Sequence, residues 1–205
     1  MNIYAKQYDA ATAATDPGVP VQLQANFTSN LKRVSVAGVY DQIESDLKTA
    51  LPNLVPTPDV VTNPSKAAVY AMLSRVYLHK RDFIKAGLYA DSTLQLKNTL
   101  NDLNIISTYP PKVSDPEIIF SKTTSTTPTT LPLSNDLINL FDQVNDFRYT
   151  LFTKAGADIP ASNFTNRGYF KHRLVNQGIY VGPGVPEIML IKAECEARAG
   201  NTATA

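Results

Sequence analysis

Two short amphipathic segments joined by a tight link, within residues 63–96, constrain the fold of this chain most strongly. Asn63 is placed to cap a helix, and Pro64 suits the first helical position, where a missing N–H costs nothing. After the link Arg81-Asp82, Asp82 is a good cap for a second helix that begins at Phe83. The pattern therefore predicts two antiparallel helices folded back on each other.

The order of large and small side chains in these helices is typical of a tetratricopeptide unit. The first helix carries large, large, small and aromatic residues, and the second carries two small residues: Tyr70, Leu73, Ser74 and Tyr77, then Ala86 and Ala90. Small residues allow two helix backbones to come close. On this spacing alone, an antiparallel helical hairpin of another kind remains the alternative.

Further helices are predicted on both sides of this hairpin. Ser35 is a plausible cap for a helix whose apolar stripe runs to Leu54, with Pro52 and Pro56 ending it. A last helix spans 185–199, with Pro186 near its start and Gly200-Asn201 at its end. Residues 4–14 look like the end of a helix, and residues 202–205 would open another.

The middle of the chain, residues 98–184, is predicted to be an irregular insertion. It holds a Ser/Thr/Pro stretch at 121–132, a helix capped by Ser134, and short strands within 169–174 and 179–181. Asp146 and Arg148 are close enough to pair locally. We therefore expect a single mainly α domain over 1–205: a helical part at 1–97 containing the hairpin 63–96, the insertion at 98–184, and the start of a further helical repeat at 185–205.

Composition excludes several classes of function. The formal net charge of the 205 residues is +1, and no long Lys/Arg cluster provides an electrostatic footprint for nucleic acid. With two histidines, His79 and His172, and one cysteine, Cys195, the chain has no metal-ligand set at the usual spacing. No Gly-rich phosphate loop follows a strand. We expect no cofactor, no metal and no catalysis.

Four segments in order resemble the SusD/RagB family, the surface nutrient-binding lipoproteins of Bacteroidota. They are NIYAKQYDAATAATDPGVPV at the start, RVSVAGVYDQIESDLKTALPNL from Arg33, NPSKAAVYAMLSRVYLHKRDFIKAGLYAD from Asn63, and VPEIMLIKAECEARAGN from Val185. The resemblance implies a tetratricopeptide-like α-α superhelix. Family members are considerably longer and begin with a signal peptide and a lipid-bearing cysteine, so we expect this chain, which has neither, to correspond to the middle of a member.

The resemblance also implies a function. It predicts a protein at the outer face of the outer membrane that binds a glycan or related nutrient without chemistry, for delivery to a TonB-dependent, SusC-like transporter. The alternative is a tetratricopeptide-type adaptor that binds a peptide or a partner helix, although such arrays need about three stacked units. Only one complete unit is evident here.

Candidate ligand-binding residues lie in the insertion. Sugars are bound by aromatic faces with nearby amides or guanidinium groups that hydrogen-bond the hydroxyl groups. The residues that offer these groups are Tyr149, Phe164, Asn166, Arg167, Tyr169, Asn176 and Tyr180. The family has no fixed sugar-binding motif that selects among them, and each aromatic has a core role as its alternative.

Overall fold

A computed structural model describes residues 4–25, 31–108, 110, 113–123, 132–159, 162–169 and 180–203, with only the backbone of Thr123 and Tyr180. The described part is mainly helical, as predicted. Its helices are α1 (Val36–Ala50), α2 (Lys66–His79), α3 (Phe83–Leu96), α4 (Asn135–Leu140), α5 (Phe147–Phe152) and α6 (Val185–Arg198). Short 3₁₀ turns cover Leu51–Asn53 and Gly156–Asp158.

Among the described residues, six short strands form three antiparallel pairs. The strands are β1 (Pro17–Pro20), β2 (Arg33–Ser35), β3 (Lys122–Thr123), β4 (Thr153–Ala155), β5 (Arg167–Tyr169) and β6 (Tyr180–Val181). The pairs are β1 with β2, β3 with β6, and β4 with β5. No helix of the described residues has the length and apolar character that a membrane crossing requires.

The chain divides into two compact units. The first comprises Met1–Pro58, Pro64–Lys97 and Pro186–Ala205, and the second comprises Asp59–Asn63 and Asn98–Val185. The first unit contains helices α1 to α3 and nearly all of α6. The second contains α4, α5 and strands β3 to β6.

In the first unit, α2 and α3 form the antiparallel hairpin that the spacing predicts. Ser74 Oγ donates to the backbone oxygen of Ala86 at 3.0 Å, and Ala86 and Ala90 are fully buried. The Tyr77 ring stacks on Tyr89 with centroids 5.4 Å apart. Small side chains on both helices permit this close approach. The predicted cap is also present, because the Asp82 side chain accepts from the Lys85 N–H at 3.1 Å.

The start of α2 differs from the prediction that Asn63 caps the helix and Pro64 opens it. Ser65 is the cap, accepting from the Ala68 N–H at 3.2 Å, and the helix begins at Lys66. The Lys66 N–H donates to the carbonyl of Val55 at 2.8 Å. Because the preceding loop supplies this acceptor, an early N–H of the helix is satisfied without a cap further upstream.

The opening segment also differs, because residues 6–9 lack regular structure and residues 10–14 form turns, where the end of a helix is predicted over 4–14. The Thr12 and Ala13 N–H groups both donate to the carbonyl of Asp9, and the Asp16 carboxylate accepts from Thr12 and Lys6 at 2.6 Å each. These local polar contacts compete with a helical backbone pattern. Ala13 is nevertheless buried against α1 and α2, in a cluster with Val36, Tyr40 and Val76.

In the second unit, β4 and β5 pair with Thr153 opposite Tyr169, Lys154 opposite Gly168 and Ala155 opposite Arg167. The predicted cap of α4 is confirmed, since Ser134 Oγ accepts from the Leu137 N–H at 3.2 Å. Of the strand predicted within 169–174, only Tyr169 is described, and it belongs to β5; residues 170–174 lie outside the described residues.

Candidate functional site

One face of the β4–β5 pair carries three side chains of functional interest. Alternate residues of a strand point to the same face, so Arg167 and Tyr169 share a face of β5. Thr153, which pairs with Tyr169, lies on the same face of β4. Tyr169 is 39% exposed and therefore presents aromatic surface to solvent. We refer to these three residues, together with Tyr149 of α5, whose ring contacts Arg167, as the β4–β5 face.

Arg167 ties this face to the end of helix α5. Its Nε donates to Thr153 Oγ1 at 2.8 Å, and its Nη2 donates to the carbonyls of Tyr149 and Thr153 at 3.1 Å each. Thr153 Oγ1 in turn donates to the Tyr149 carbonyl at 2.6 Å. The last carbonyls of a helix lack intrahelical partners and attract cations. Arg167 thus fixes where α5 ends and β4 begins.

The Tyr149 ring lies in a row of two aromatic rings with a guanidinium group at each end. The Arg167 guanidinium carbon is 3.9 Å from the Tyr149 centroid, and the Phe141 ring is 6.0 Å from Tyr149, tilted by 52°. Beyond Phe141, the guanidinium carbon of Arg148 is 5.5 Å from the Phe141 centroid. Cation–π contacts of this kind hold rings in place. The row orders Tyr149 but also covers part of its surface.

Arg148 is held at its end of the row by Asp146, as the spacing of these two residues predicts. Its Nη2 lies 2.7 Å from Asp146 Oδ2, and its Nε lies 3.0 Å from Oδ1. Hydrogen bonding from the Arg148 side chain is the main cause that lowers the pKa of Asp146. The same carboxylate caps α5 by accepting from the Arg148 N–H at 2.9 Å.

Asn166 and Phe164 have different surroundings. Asn166 Nδ2 donates to the Leu133 carbonyl at 3.2 Å and to Asn135 Oδ1 at 2.8 Å, so its amide connects β5 to the start of α4. Phe164 is half-buried, and its carbonyl occupies the space that a Cβ on Gly156 would need. The turn before β5 therefore packs directly on the backbone of Gly156.

Of the seven residues predicted from the sequence, Tyr149, Arg167 and Tyr169 come together on the β4–β5 face. Phe164 and Asn166 lie beside it in the turn before β5. Asn176 and the side chain of Tyr180 lie outside the described residues. Sequence reasoning missed Phe141 and Thr153 as neighbours of Tyr149, because the first contact depends on how the end of α4 meets α5 and the second on where α5 ends.

The side chains on this face are suited to non-covalent contacts with a ligand. Tyrosine rings and guanidinium groups stack and donate hydrogen bonds, and they do not exchange protons readily near neutral pH. Among the described residues, no group of three or more His, Cys, Asp or Glu side chains is arranged to hold a metal ion. The exposed ring of Tyr169 beside the ordered Arg167 is suited to a flat ligand surface bordered by hydroxyl groups.

Known proteins resemble this chain in sequence and in fold. Residues 1–78 match the SusD-like family model described as "Starch-binding associating with outer membrane". No protein with a curated description matches the sequence. The fold is similar to a SusD superfamily protein from Bacteroides thetaiotaomicron, with a TM-score of 0.71 and 20% identity over 97% of this chain and 51% of that protein.

Two further solved structures share the fold. A SusD-like carbohydrate binding protein from Bacteroides vulgatus has a TM-score of 0.65 and 24% identity, covering 92% of this chain and 46% of its own. A laminarin binding SusD-like protein has a TM-score of 0.60 and 15% identity, covering 86% of this chain and 54% of its own. The chain thus spans about half the length of the structures it matches.

Proposed function

Since the chain is SusD-like over its first 78 residues and has the SusD superfamily fold, we propose that it binds a carbohydrate and does not transform it. The ligand is an oligosaccharide or a related nutrient. The proposed contact surface is the β4–β5 face together with the other residues that the sequence predicts, Phe164, Asn166, Asn176 and Tyr180. Function and site are separate parts of this proposal, and separate experiments test them.

The observation that carries the site is the exposure of Tyr169 beside Arg167. An aromatic ring covers the apolar C–H face of a sugar, while neighbouring polar groups select its hydroxyl groups. The 39% exposure of Tyr169 leaves ring surface available for such stacking. Several N–H groups of Arg167 already donate hydrogen bonds to α5 and β4, so the main contribution of Arg167 is to hold the face rigid. A rigid face loses less entropy when the ligand binds.

The proposal extends to transport. In the whole protein, ligand captured on this face would be passed to a TonB-dependent, SusC-like transporter in the outer membrane. The protein would sit at the cell surface as a lipoprotein. The support is the description of the family matched by residues 1–78, which associates starch binding with the outer membrane. Copurification of the transporter with the membrane-bound native protein is the expected result.

Titration calorimetry with maltoheptaose and with laminarin oligosaccharides tests the site. We expect Tyr169→Ala to weaken binding of the preferred oligosaccharide about fivefold, because an aromatic contact is worth roughly 1 kcal/mol and 1.4 kcal/mol is a factor of ten. Tyr4→Ala is the matched control, since Tyr4 is a 76% exposed tyrosine of the first unit. It should leave the affinity unchanged.

Two outcomes would count against the proposal in different ways. Unchanged oligosaccharide affinity in Tyr169→Ala would show that the site lies elsewhere, while the function stands. No binding of any oligosaccharide, together with retention of a helical peptide, would replace carbohydrate binding with the adaptor function of tetratricopeptide-type proteins.

A further inference from the structure

Arg81, in the turn that ends helix α2, has a backbone conformation that normally takes glycine. Its φ is 58°, and among the described residues it is the one non-glycine residue with positive φ. The Arg81 N–H donates to the Leu78 carbonyl at 3.0 Å, and the next N–H donates to the Tyr77 carbonyl at 2.9 Å. Helix α6 ends in the same turn with Gly200, whose φ is 86°. The left-handed region crowds any side chain, and residues held there concentrate at functional sites.

The Arg81 side chain is exposed and forms no ion pair with a carboxylate of the described residues. Three lysines around it each pair with a carboxylate: Lys6 with Asp16 at 2.6 Å, Lys80 with Glu44 at 3.4 Å and Lys85 with Asp82 at 2.9 Å. These carboxylates are therefore already neutralised by other cations. The guanidinium of Arg81 keeps its donors available for a ligand.

Arg81 lines a pocket of about 520 Å³ between the end of α2 and the segment 6–16. The volume is in the range of small-molecule sites. The lining includes three cations, two carboxylates and two uncharged polar side chains: Lys6, Lys80 and Arg81; Asp9 and Asp16; Gln7 and Thr12. The Asp9 carboxylate accepts from the Ala11 N–H at 2.9 Å. The pocket thus has an excess of one positive charge.

Tyr8 gives this pocket an aromatic wall with a fixed orientation. Its ring packs edge-on against the Tyr40 ring, with the centroids 5.2 Å apart. Lys80 Nζ lies 5.7 Å from the Tyr8 centroid and 5.8 Å from the Tyr77 centroid, so one ammonium group contacts both rings. The Lys80 side chain is 18% exposed, and solvent screens its charge less than that of an exposed lysine. Ring and charge are both held in place by the fold.

We propose that this pocket, which we call the Arg81 pocket, binds a small organic carboxylate. A guanidinium group binds a carboxylate through two parallel N–H donors. An excess of one positive charge matches a singly charged carboxylate better than a doubly charged sulfate or phosphate. The Tyr8 ring would cover an apolar face of the same molecule. The Arg81 pocket lies in the first unit, so it is tested separately from carbohydrate binding on the β4–β5 face.

A heteronuclear NMR titration of the 205-residue chain with D-glucuronate tests the proposal. D-glucose is the matched ligand, because it differs only in having a hydroxymethyl group where glucuronate has a carboxylate. At neutral pH we expect saturable shift changes at the amides of Tyr8, Lys80 and Arg81 with glucuronate, and none there with glucose. No shifts with glucuronate, equal shifts with both sugars, or sulfate that binds as tightly as glucuronate would overturn the proposal. Glucuronate shifts confined to the β4–β5 face would also overturn it.

Arg81→Gly separates ligand binding from a structural role of Arg81. Glycine suits the left-handed turn, so the midpoint of thermal unfolding should rise by about 1–3 °C. The affinity for glucuronate should fall about tenfold or more, because the paired N–H donors are lost. Arg81→Asn should lose the same affinity without a lower midpoint, since asparagine is also tolerated in this turn.

Lys122→Gln is the control for net charge, because it removes one positive charge at an exposed residue of the second unit. It should change neither the affinity for glucuronate nor the midpoint of unfolding. A lower midpoint in Arg81→Gly would show that the arginine is retained for stability and would overturn the proposal. Unchanged affinity in either Arg81 variant would overturn it as well.

Discussion

The guanidinium carbon of Arg167 lies 3.9 Å from the centroid of the Tyr149 ring, while the same side chain binds two backbone carbonyls at the end of helix α5. One cation thus joins a helix end, a strand and an aromatic ring. This contact joins residues 18 positions apart in the chain. The arrangement gives the β4–β5 face a fixed geometry from few residues.

Replacing Arg167 tests this role. Arg167→Lys keeps the charge but loses the planar fork, so it cannot bind Thr153 Oγ1 and both carbonyls together. We expect a loss of about 1–3 kcal/mol in unfolding free energy, measured by urea denaturation. Arg148→Lys is the control, since Arg148 is 70% exposed and lysine keeps a positive charge beside Asp146. It should change stability by less than about 0.5 kcal/mol, and an equal loss in both variants would contradict the proposed role of Arg167.

The close approach at Gly156 gives a second prediction. A Cβ at this position would overlap the Phe164 carbonyl oxygen, which is backbone and cannot turn aside. Gly156→Ala should therefore destabilise the protein by more than about 3 kcal/mol. Gly200→Ala should cost only about 1–2 kcal/mol, because its φ of 86° is strained for alanine but the added Cβ would meet none of the described residues within 4 Å. Thermal unfolding of the two variants checks the order, and the reverse order would contradict it.

Because Ser65 caps α2 and Asn63 does not, the two side chains should contribute differently to the free energy of unfolding. Ser65 is fully buried and its hydroxyl accepts from the Ala68 N–H. Ser65→Ala should lower the unfolding free energy by about 1 kcal/mol, as loss of a serine cap typically does. Asn63→Ala should be nearly neutral. A larger effect at Asn63 than at Ser65, again by urea denaturation, would restore the sequence-based assignment of the cap.

Glu44 is the centre of a charged network between α1 and α2. Its carboxylate accepts from Lys48 Nζ at 2.6 Å and from the Tyr77 hydroxyl at 2.5 Å, and Lys80 Nζ lies 3.4 Å away. Burial alone would raise the pKa of Glu44, but the hydrogen bonds from Lys48 and Tyr77 and the charges of Lys48 and Lys80 lower it to about 2 from an ordinary 4.5. Burial is the main cause that raises the pKa of Tyr77.

This shift predicts a pH dependence of stability. Because the folded pKa lies below the unfolded one, Glu44 stabilises the fold fully above about pH 4.5 and loses this effect as the pH falls towards 2. Glu44→Gln should cost about 1–2 kcal/mol at pH 7 after allowance for solvent screening. The difference from wild type should shrink over that pH range in urea titrations. Glu194→Gln, on an exposed surface pair, should show little difference at any pH.

Local signals predicted much of the helical part. Capping residues with short-range partners were placed correctly, as Ser35, Asp82 and Ser134 show. The size pattern at Ser74 and Ala86 predicted the hairpin contact, since residues at fixed helical spacing share a face. The cap of α2 was misplaced by two residues because a loop carbonyl at Val55 satisfies the first turn, which no local pattern indicates.

The candidate binding site could be predicted from the sequence less completely than the helices. The aromatic composition of the insertion indicated candidate residues, but which of them meet depends on the pairing of β4 with β5. Three-residue strands carry too little alternation to fix their register. The contact of Arg167 with Tyr149 could therefore not be derived, and neither could the use of Asn166 to connect β5 to Asn135. The sequence predicts the end of a helix over residues 4–14 because the alanines there favour one, but turns form at 10–14 instead.

The central claim is that this chain binds a carbohydrate on the β4–β5 face. The most direct measurement is a heteronuclear NMR titration of the 205-residue chain with the oligosaccharide that calorimetry selects. We predict saturable shift changes concentrated at Thr153, Arg167, Gly168 and Tyr169, with α2 and α3 unaffected. Shift changes confined to α2, α3 and α6, or none with any oligosaccharide, would contradict the claim.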